Sequence, residues 1–162
     1  MRTSPNIRTA DPKEAGILTE LALRSKAHWG YSSEFIEACR AELAVTPERL
    51  TSTDFHYQVA ERDSELLGFY AIGPCAVSSY ELEALFVEPV HIGRGVGQAL
   101  IDHAKHKVKQ LGGMKLSIQG DPNAEKFYLA AGGKLVGQKA SGSIPGRKLP
   151  LFEIELMDAD VS

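Results

Sequence analysis

The sequence predicts an α/β fold, a single-layer mixed sheet with helices on both faces. Three observations predict it. The 162 residues are 43% hydrophobic and 24% charged, a globular composition with enough chain for one sizeable core but cramped for two. Period-two and period-3.6 apolar patterns interleave along the chain. Near the middle a strand, a helix of about four turns and another strand follow in succession, a crossover that makes those two strands parallel. The predicted order is β-α-α-β-β-β-α-β-α-β-β, with residues 1–162 read as a single domain.

The elements follow in order. A short strand is expected at Asn6–Thr9. "DPKEAGILTELALRS" then places Ile17, Leu18, Leu21 and Ala22 on one helical face. "HWGY" breaks that pattern, and Ser33 is positioned to cap a second helix carrying Phe35, Ile36, Cys39 and Leu43. Thr46-Pro47 reads as a cap followed by proline at the first position of a short helical turn. In "DFHYQVAERDSELLGFYAIG" an alternating run, a polar turn and an apolar run make an antiparallel hairpin, which "GPCAVSS" closes. "YELEALFVE" alternates again, with Tyr80, Leu82, Ala84 and Phe86 on one side and Glu81, Glu83, Leu85 and Val87 on the other.

The next helix buries Leu100, Ile101, Ala104, Val108 and Leu111, keeps His103, Lys105, His106 and Lys107 outside, and stops at Gly112-Gly113. "MKLSIQG" is a strand. "DPNAEKFYLAAGG" is a helix with Asp121 as cap and Pro122 at its first position. "KLVGQK" and "LPLFEIEL" are two strands around the loop "ASGSIPGRK".

Composition also limits function. A net charge of −3 makes no electrostatic case for nucleic acid or an anionic membrane as partner. No apolar run reaches the roughly 18 residues that a membrane span needs, and "MRTSPNIRTADP" lacks the core of a secretion signal. Cys39 and Cys75 form no CxxC pair and read as free thiols in a reducing, cytoplasmic compartment. The five histidines show no metal-ligand spacing, so no metal is expected.

Between a strand and a helix lies "VEPVHIGRGVGQALIDHA", with Gly93, Gly95 and Gly97 spaced by two around Arg94. A P-loop would need GxxxxGK[ST], and no such lysine follows. A dinucleotide fingerprint fails because Gln98 and Leu100 stand where the sixth small residue is required. Two readings remain: a plain turn, or a pyrophosphate cradle in which main-chain amides at the positive end of the helix, with Arg94, hold an anion.

"LFVEPVHIGRGVGQALIDHA" resembles the acyl-CoA-binding segment of the GNAT N-acyltransferase superfamily, whose signature is [QR]-x-x-G-x-[GA]. Gly95 and Gly97 match the two small positions, and Ile92 stands where Gln or Arg is usual. "DPNAEKFYLAAGG" resembles the family's second landmark, an Asn ahead of a helix bearing Phe-Tyr, and the element order resembles the family's over nearly the whole chain.

The resemblance implies an N-acetyltransferase that moves an acetyl group from acetyl-CoA to a primary amine, by direct attack in a ternary complex. A small metabolite is the first choice of acceptor. A protein amine, or a CoA-binding module without turnover, is the alternative. It implies cofactor contacts from the main chain of Leu85, Phe86 and Val87, from Ile92, Gly93, Arg94, Gly95, Val96, Gly97 and Gln98, and from Asn123 and Tyr128. It implies Glu83, with Glu81 beside it, as general base and Tyr128 as general acid. The residues alone also allow the glutamates to be charges on a solvated face and Tyr128 to be core packing beside Phe127. His28, Trp29, Tyr31 and Arg147 are acceptor-pocket candidates; Trp29 could equally anchor its turn in the core, and Arg147 could be idle in solvent. Homodimers are common in the family.

Overall fold

The computed structural model describes residues 5–140, 146 and 148–156. It contains one seven-stranded sheet in the order β1-β2-β3-β4-β5-β7-β6. The strands are β1 (Asn6–Thr9), β2 (His56–Arg62), β3 (Glu65–Ala76), β4 (Ser79–Val87), β5 (Lys115–Gln119), β6 (Lys134–Ala140) and β7 (Lys148–Glu155). The helices are α1 (Ala15–Ala27), α2 (Ser33–Leu43), α3 (Pro47–Thr51), α4 (Val96–Gln110) and α5 (Glu125–Ala130). Among the described strands the β4–β5 pair is the only parallel one; the other neighbours run antiparallel. The predicted crossover through α4 accounts for that pair, because a strand returning over a helix re-enters the sheet in the same direction.

Two apolar clusters cover the two faces. Leu100, Ile101, Ala104 and Val108 of α4 pack with Tyr70, Ile72, Leu82, Leu116, Ile118 and Tyr128. On the other face Leu18, Leu21 and Ala22 of α1 pack with Tyr57, Val59, Phe69 and Ala71. The period-3.6 stripes therefore locate the core of α1 and α4, except at their margins. Ile17 is 55% exposed and Leu111, just past the end of α4, is 37% exposed.

Local chemistry explains most element ends. The Ser32 hydroxyl, not that of Ser33, caps α2 by accepting from the Phe35 amide at 3.1 Å. Thr46 caps α3 as predicted, with Pro47 in its first turn. Asp63 and Ser64, both at positive φ, make the tight β2–β3 turn. Strand β3 does not stop at Gly73-Pro74 but continues to Ala76, with register shifts at Ala71/Ile72 and Pro74/Ala76 absorbing the irregularity.

The shift at Ala71/Ile72 matters most. Ala71 pairs with Ala84 and Ile72 with Leu82, so Glu83 is an extra residue with no partner on β3, a β-bulge. The predicted strict alternation along β4 is therefore wrong past Leu82. Tyr80, Leu82, Leu85 and Val87 all turn to the α4 face, while Ala84 and Phe86 turn to the α1 face. One inserted residue exchanges the faces of everything after it.

Candidate active site

The bulge coincides with the place where β4 leaves β5. Their pairing runs from Ser79↔Lys115 to Leu82↔Ile118 and ends there. From Ala84 to Val87, β4 keeps β3 on one edge, and among the described residues no strand pairs with the other edge from Glu83 onward. The Glu88 amide donates to the Leu67 carbonyl at 2.8 Å, and main-chain groups alternate direction along a strand. Ala84 and Phe86 therefore spend their N–H and C=O groups on β3, and those of Leu85 and Val87 face the open edge. Phe86, expected to offer its main chain to a ligand, offers it to β3 instead.

Beyond Val87 the chain makes a 3₁₀ turn at Pro89–His91 and then enters α4. Glu88, at that corner, is held by Arg24 of α1 through two contacts of 2.8 Å. This pair neutralises a carboxylate beside the positive end of α4 and holds its proton affinity below the ordinary range. The three glycines serve different needs. Gly93 (φ 81°) and Gly95 (φ 87°) adopt a left-handed backbone with open space where a Cβ would stand. Gly97 has ordinary φ, but a Cβ there would lie 3.1 Å from the Phe127 ring, so this glycine lets α5 pack against the first turn of α4.

The first i→i−4 bond of α4 runs from Ala99 to Gly95 at 3.0 Å, leaving the first-turn amides of Val96, Gly97 and Gln98 without a helical acceptor. No acidic residue occupies that turn, and its positive end suits an anion. The Arg94 amide is not among the available donors, since it bonds the His91 carbonyl at 3.3 Å; its side chain is exposed. The Gln98 side chain is turned along the helix to Asp102 at 3.0 Å. Ile92 is half-buried, so the position where the family favours a polar side chain is partly packed.

Glu83 faces the α1 side of the sheet, where its Oε1 lies 3.4 Å from the position of a Cβ on Gly73. The same Cβ would strike the Phe55 ring at 2.7 Å, so only glycine fits there. The Glu83 side chain is 29% exposed. Burial first, and the Glu81 charge second, push its carboxyl above the ordinary range, against an opposing pull from Arg49. Cys75 lies in the same neighbourhood. Burial and the two glutamates raise its thiol, which keeps it protonated and a poor nucleophile.

Tyr128 of α5 closes the other side of the opening. It is buried, packs against Phe127 and Phe152, and lies 3.1 Å from where a Cβ on Gly120 would stand, just past the end of β5. Burial, then the Asp121 charge, raise its phenol far above neutral pH, so it holds its proton. Asn123 is more committed than its sequence position suggests. Its Nδ2 donates to the Tyr31 hydroxyl at 3.0 Å and to Asp121 Oδ1 at 2.9 Å. The cap on this turn is Asp121, accepting from the Asn123 amide at 2.9 Å.

The acceptor candidates divide. Tyr31 is locked to Asp121 and Asn123, and Lys26 reaches Asp121 at 3.4 Å. Trp29 is 45% exposed and meets His28 edge-on at 5.3 Å, which removes the core-anchor reading. Arg147 lies outside the described residues. His103, expected on the surface, is half-buried, with its Nδ1 2.7 Å from the Tyr70 hydroxyl. Two shallow depressions, of about 320 and 270 Å³, flank α4 on its outer side and touch none of the residues of the opening. Among the described residues no group of three or more His, Cys, Asp or Glu side chains is arranged to hold a metal ion. No described helix is long and apolar enough to cross a membrane.

A parted parallel pair, a bulge at the parting and a glycine turn into a helix now have a family to belong to. Residues 10–141 match the acetyltransferase (GNAT) domain family. The chain belongs to the GNAT acetyltransferases. It is therefore an acyl-CoA-dependent N-acetyltransferase, with acetyl-CoA as co-substrate. Solved structures agree on the fold. The PaiA N-acetyltransferase of Thermoplasma acidophilum, in complex with coenzyme A, superposes with a TM-score of 0.75 at 22% identity, covering 94% of this chain and 99% of that one. An aminoglycoside 6'-N-acetyltransferase complexed with coenzyme A gives 0.73 at 17% identity, covering 94% and 98%. The Salmonella typhimurium protein yncA with acetyl-CoA gives 0.68 at 16%, covering 96% of each chain. Among proteins with curated descriptions, none matches this GNAT chain in sequence.

Sequence reasoning missed three contributors to the site. Arg24, Arg49 and Phe55 come from elements distant in sequence and belong to no motif. The pattern "ELEALFV" contained the bulge without marking it.

Proposed function

We propose that this GNAT enzyme acetylates a primary amine on a small metabolite by direct attack in a ternary complex. The parting of β4 from β5 at the Glu83 bulge carries the reading. It exposes the Leu85 and Val87 main chain as an edge to which the pantetheine arm adds like a strand. It also places Glu83 on the opposite face from α4, so that acceptor and cofactor meet through the gap. The amides of Val96, Gly97 and Gln98 take the pyrophosphate. Comparison structures solved with coenzyme A or acetyl-CoA support a cofactor of this kind.

A lysine-like amine has a pKa near 10.4 and attacks only when neutral, so a base must take its proton. Glu83, raised above the ordinary carboxyl range by burial and by Glu81, has the proton affinity for it. Glu81 assists through water. Amine attack on the thioester carbonyl forms the new N–C bond, and main-chain N–H groups at the open edge stabilise the oxyanion. Collapse breaks the C–S bond, and Tyr128, which keeps its proton at neutral pH, gives it to the departing thiolate. The protonated Cys75 argues against an acyl-cysteine route.

The test is thiol release from acetyl-CoA across a panel of primary amines. Amine-dependent release is expected in the wild type, with a loss on the order of 10²-fold or more in Glu83→Gln. Transfer of labelled acetyl to the protein without amine would refute direct attack.

A further inference from the structure

Arg49 of α3 is fixed by two contacts that have nothing to do with Glu83. Its Nε donates to the Tyr57 hydroxyl at 2.8 Å, and its guanidinium carbon sits 4.0 Å above the centre of the Phe55 ring. Helix α3 starts at the Thr46 cap and Pro47, so the stem of Arg49 leaves a short, anchored turn. With those contacts made, the remaining end of the guanidinium stands 4.0 Å from Glu83 Oε2. Phe55 also presses on Gly73, the residue across from Glu83's own strand, so one aromatic ring fixes both the cation and the space beside the carboxylate.

We propose that Arg49 is a positioning residue that holds the Glu83 carboxylate in place and in its ionised form. This rests on the reading of Glu83 as base. The charged and titratable groups facing Glu83 are Glu81 on its own strand, Cys75 on β3 and Arg49 on α3. Glu81 and burial favour the proton; Arg49 alone opposes it. A base must be empty to accept a proton, so without this cation Glu83 would stay protonated to a higher pH and fewer molecules would be ready to react. A rigid, aromatic-stacked arginine also does this at lower entropic cost than a free lysine.

The test is a carboxyl-carbon NMR titration of the full chain, with Glu83 assigned by its loss in Glu83→Gln. It needs no acceptor. Arg49→Gln is expected to move the Glu83 titration to higher pH, and Arg49→Lys to move it less. Tyr57→Phe removes the anchor but keeps the charge, and should move it the same way by a smaller amount; this arm decides if Arg49→Gln fails to fold. An unchanged Glu83 titration in Arg49→Gln or, in that event, in Tyr57→Phe overturns the proposal, whatever the base is. A titration that rises while the pH profile of acetyl transfer ignores it supports the coupling of Arg49 to Glu83 and refutes Glu83 as the base.

Discussion

The Tyr31 hydroxyl donates to Asp121 Oδ2 at 2.9 Å, joining the turn between α1 and α2 to the cap of the turn that leads into α5. The two residues are 90 positions apart, yet together they tie the α1–α2 turn to the segment that leads into the element carrying Tyr128. Lys26 completes the cluster from α1.

Tyr31→Phe removes that bond and one of the two acceptors of Asn123 Nδ2, leaving Asp121 Oδ1 as the other. A partly exposed hydrogen bond to a carboxylate is worth about 1 kcal/mol, or about 2–4 °C in Tm for a chain of this size. The expected result is a melting temperature lower by that amount, with acetyl-CoA still bound.

Glu83→Gln should separate stability from activity. The folded chain binds the Glu83 proton more tightly than the unfolded chain, because its carboxyl is raised. Between the ordinary carboxyl range and the raised value the folded state carries more protons, so stability falls as pH rises through that window. The variant lacks this loss. It should melt above the wild type at pH 7 and level with it at pH well below the carboxyl range, while its acetyl transfer is nearly gone. In the wild type, activity should fall on acidification through the same raised value.

Gly93 and Gly95 are needed for their backbone angles, not for space. Alanine at either position costs about 1 kcal/mol of left-handed strain, and asparagine less, since it tolerates that region. Calorimetry on Gly95→Ala and Gly95→Asn should give that order. At Gly97 the limit is the Phe127 ring at 3.1 Å, so Gly97→Val should disturb α5 and lower coenzyme A affinity, where the backbone angle is ordinary.

Ile92→Gln restores the polar residue that the family usually carries. If the first-turn amides of α4 and the open edge of β4 provide the grip, coenzyme A affinity should change by less than about threefold. A tenfold gain by isothermal titration would mean that the side chain, not the backbone, had been the missing contact.

Much of this was legible in the residues, because it depends on local rules. The stripes of α1 and α4, the Thr46-Pro47 start of α3, the Asp121 cap and the parallel β4–β5 pair all follow from spacing and end residues. The bulge at Glu83 was not, since one inserted residue leaves an alternating run looking alternating, and only pairing with β3 reveals it. The roles of Gly93, Gly95 and Gly97 could not be separated for a similar reason. A glycine demanded by φ and one demanded by the Phe127 ring look alike in sequence. Arg24 and Arg49 were invisible because their partners, Glu88 at the corner just after β4 and Glu83 on β4 itself, lie in a part of the chain reached only much later.

The most direct measurement is a crystal structure of the protein with acetyl-CoA. The pantetheine arm should lie between β4 and β5 and bond the main chain of Leu85 and Val87, with the pyrophosphate on the amides of Val96, Gly97 and Gln98. The thioester should sit in the gap between Glu83 and Tyr128. Cofactor bound elsewhere, such as in the depression beside Ile7 and His103 on the outer side of α4, would contradict the account.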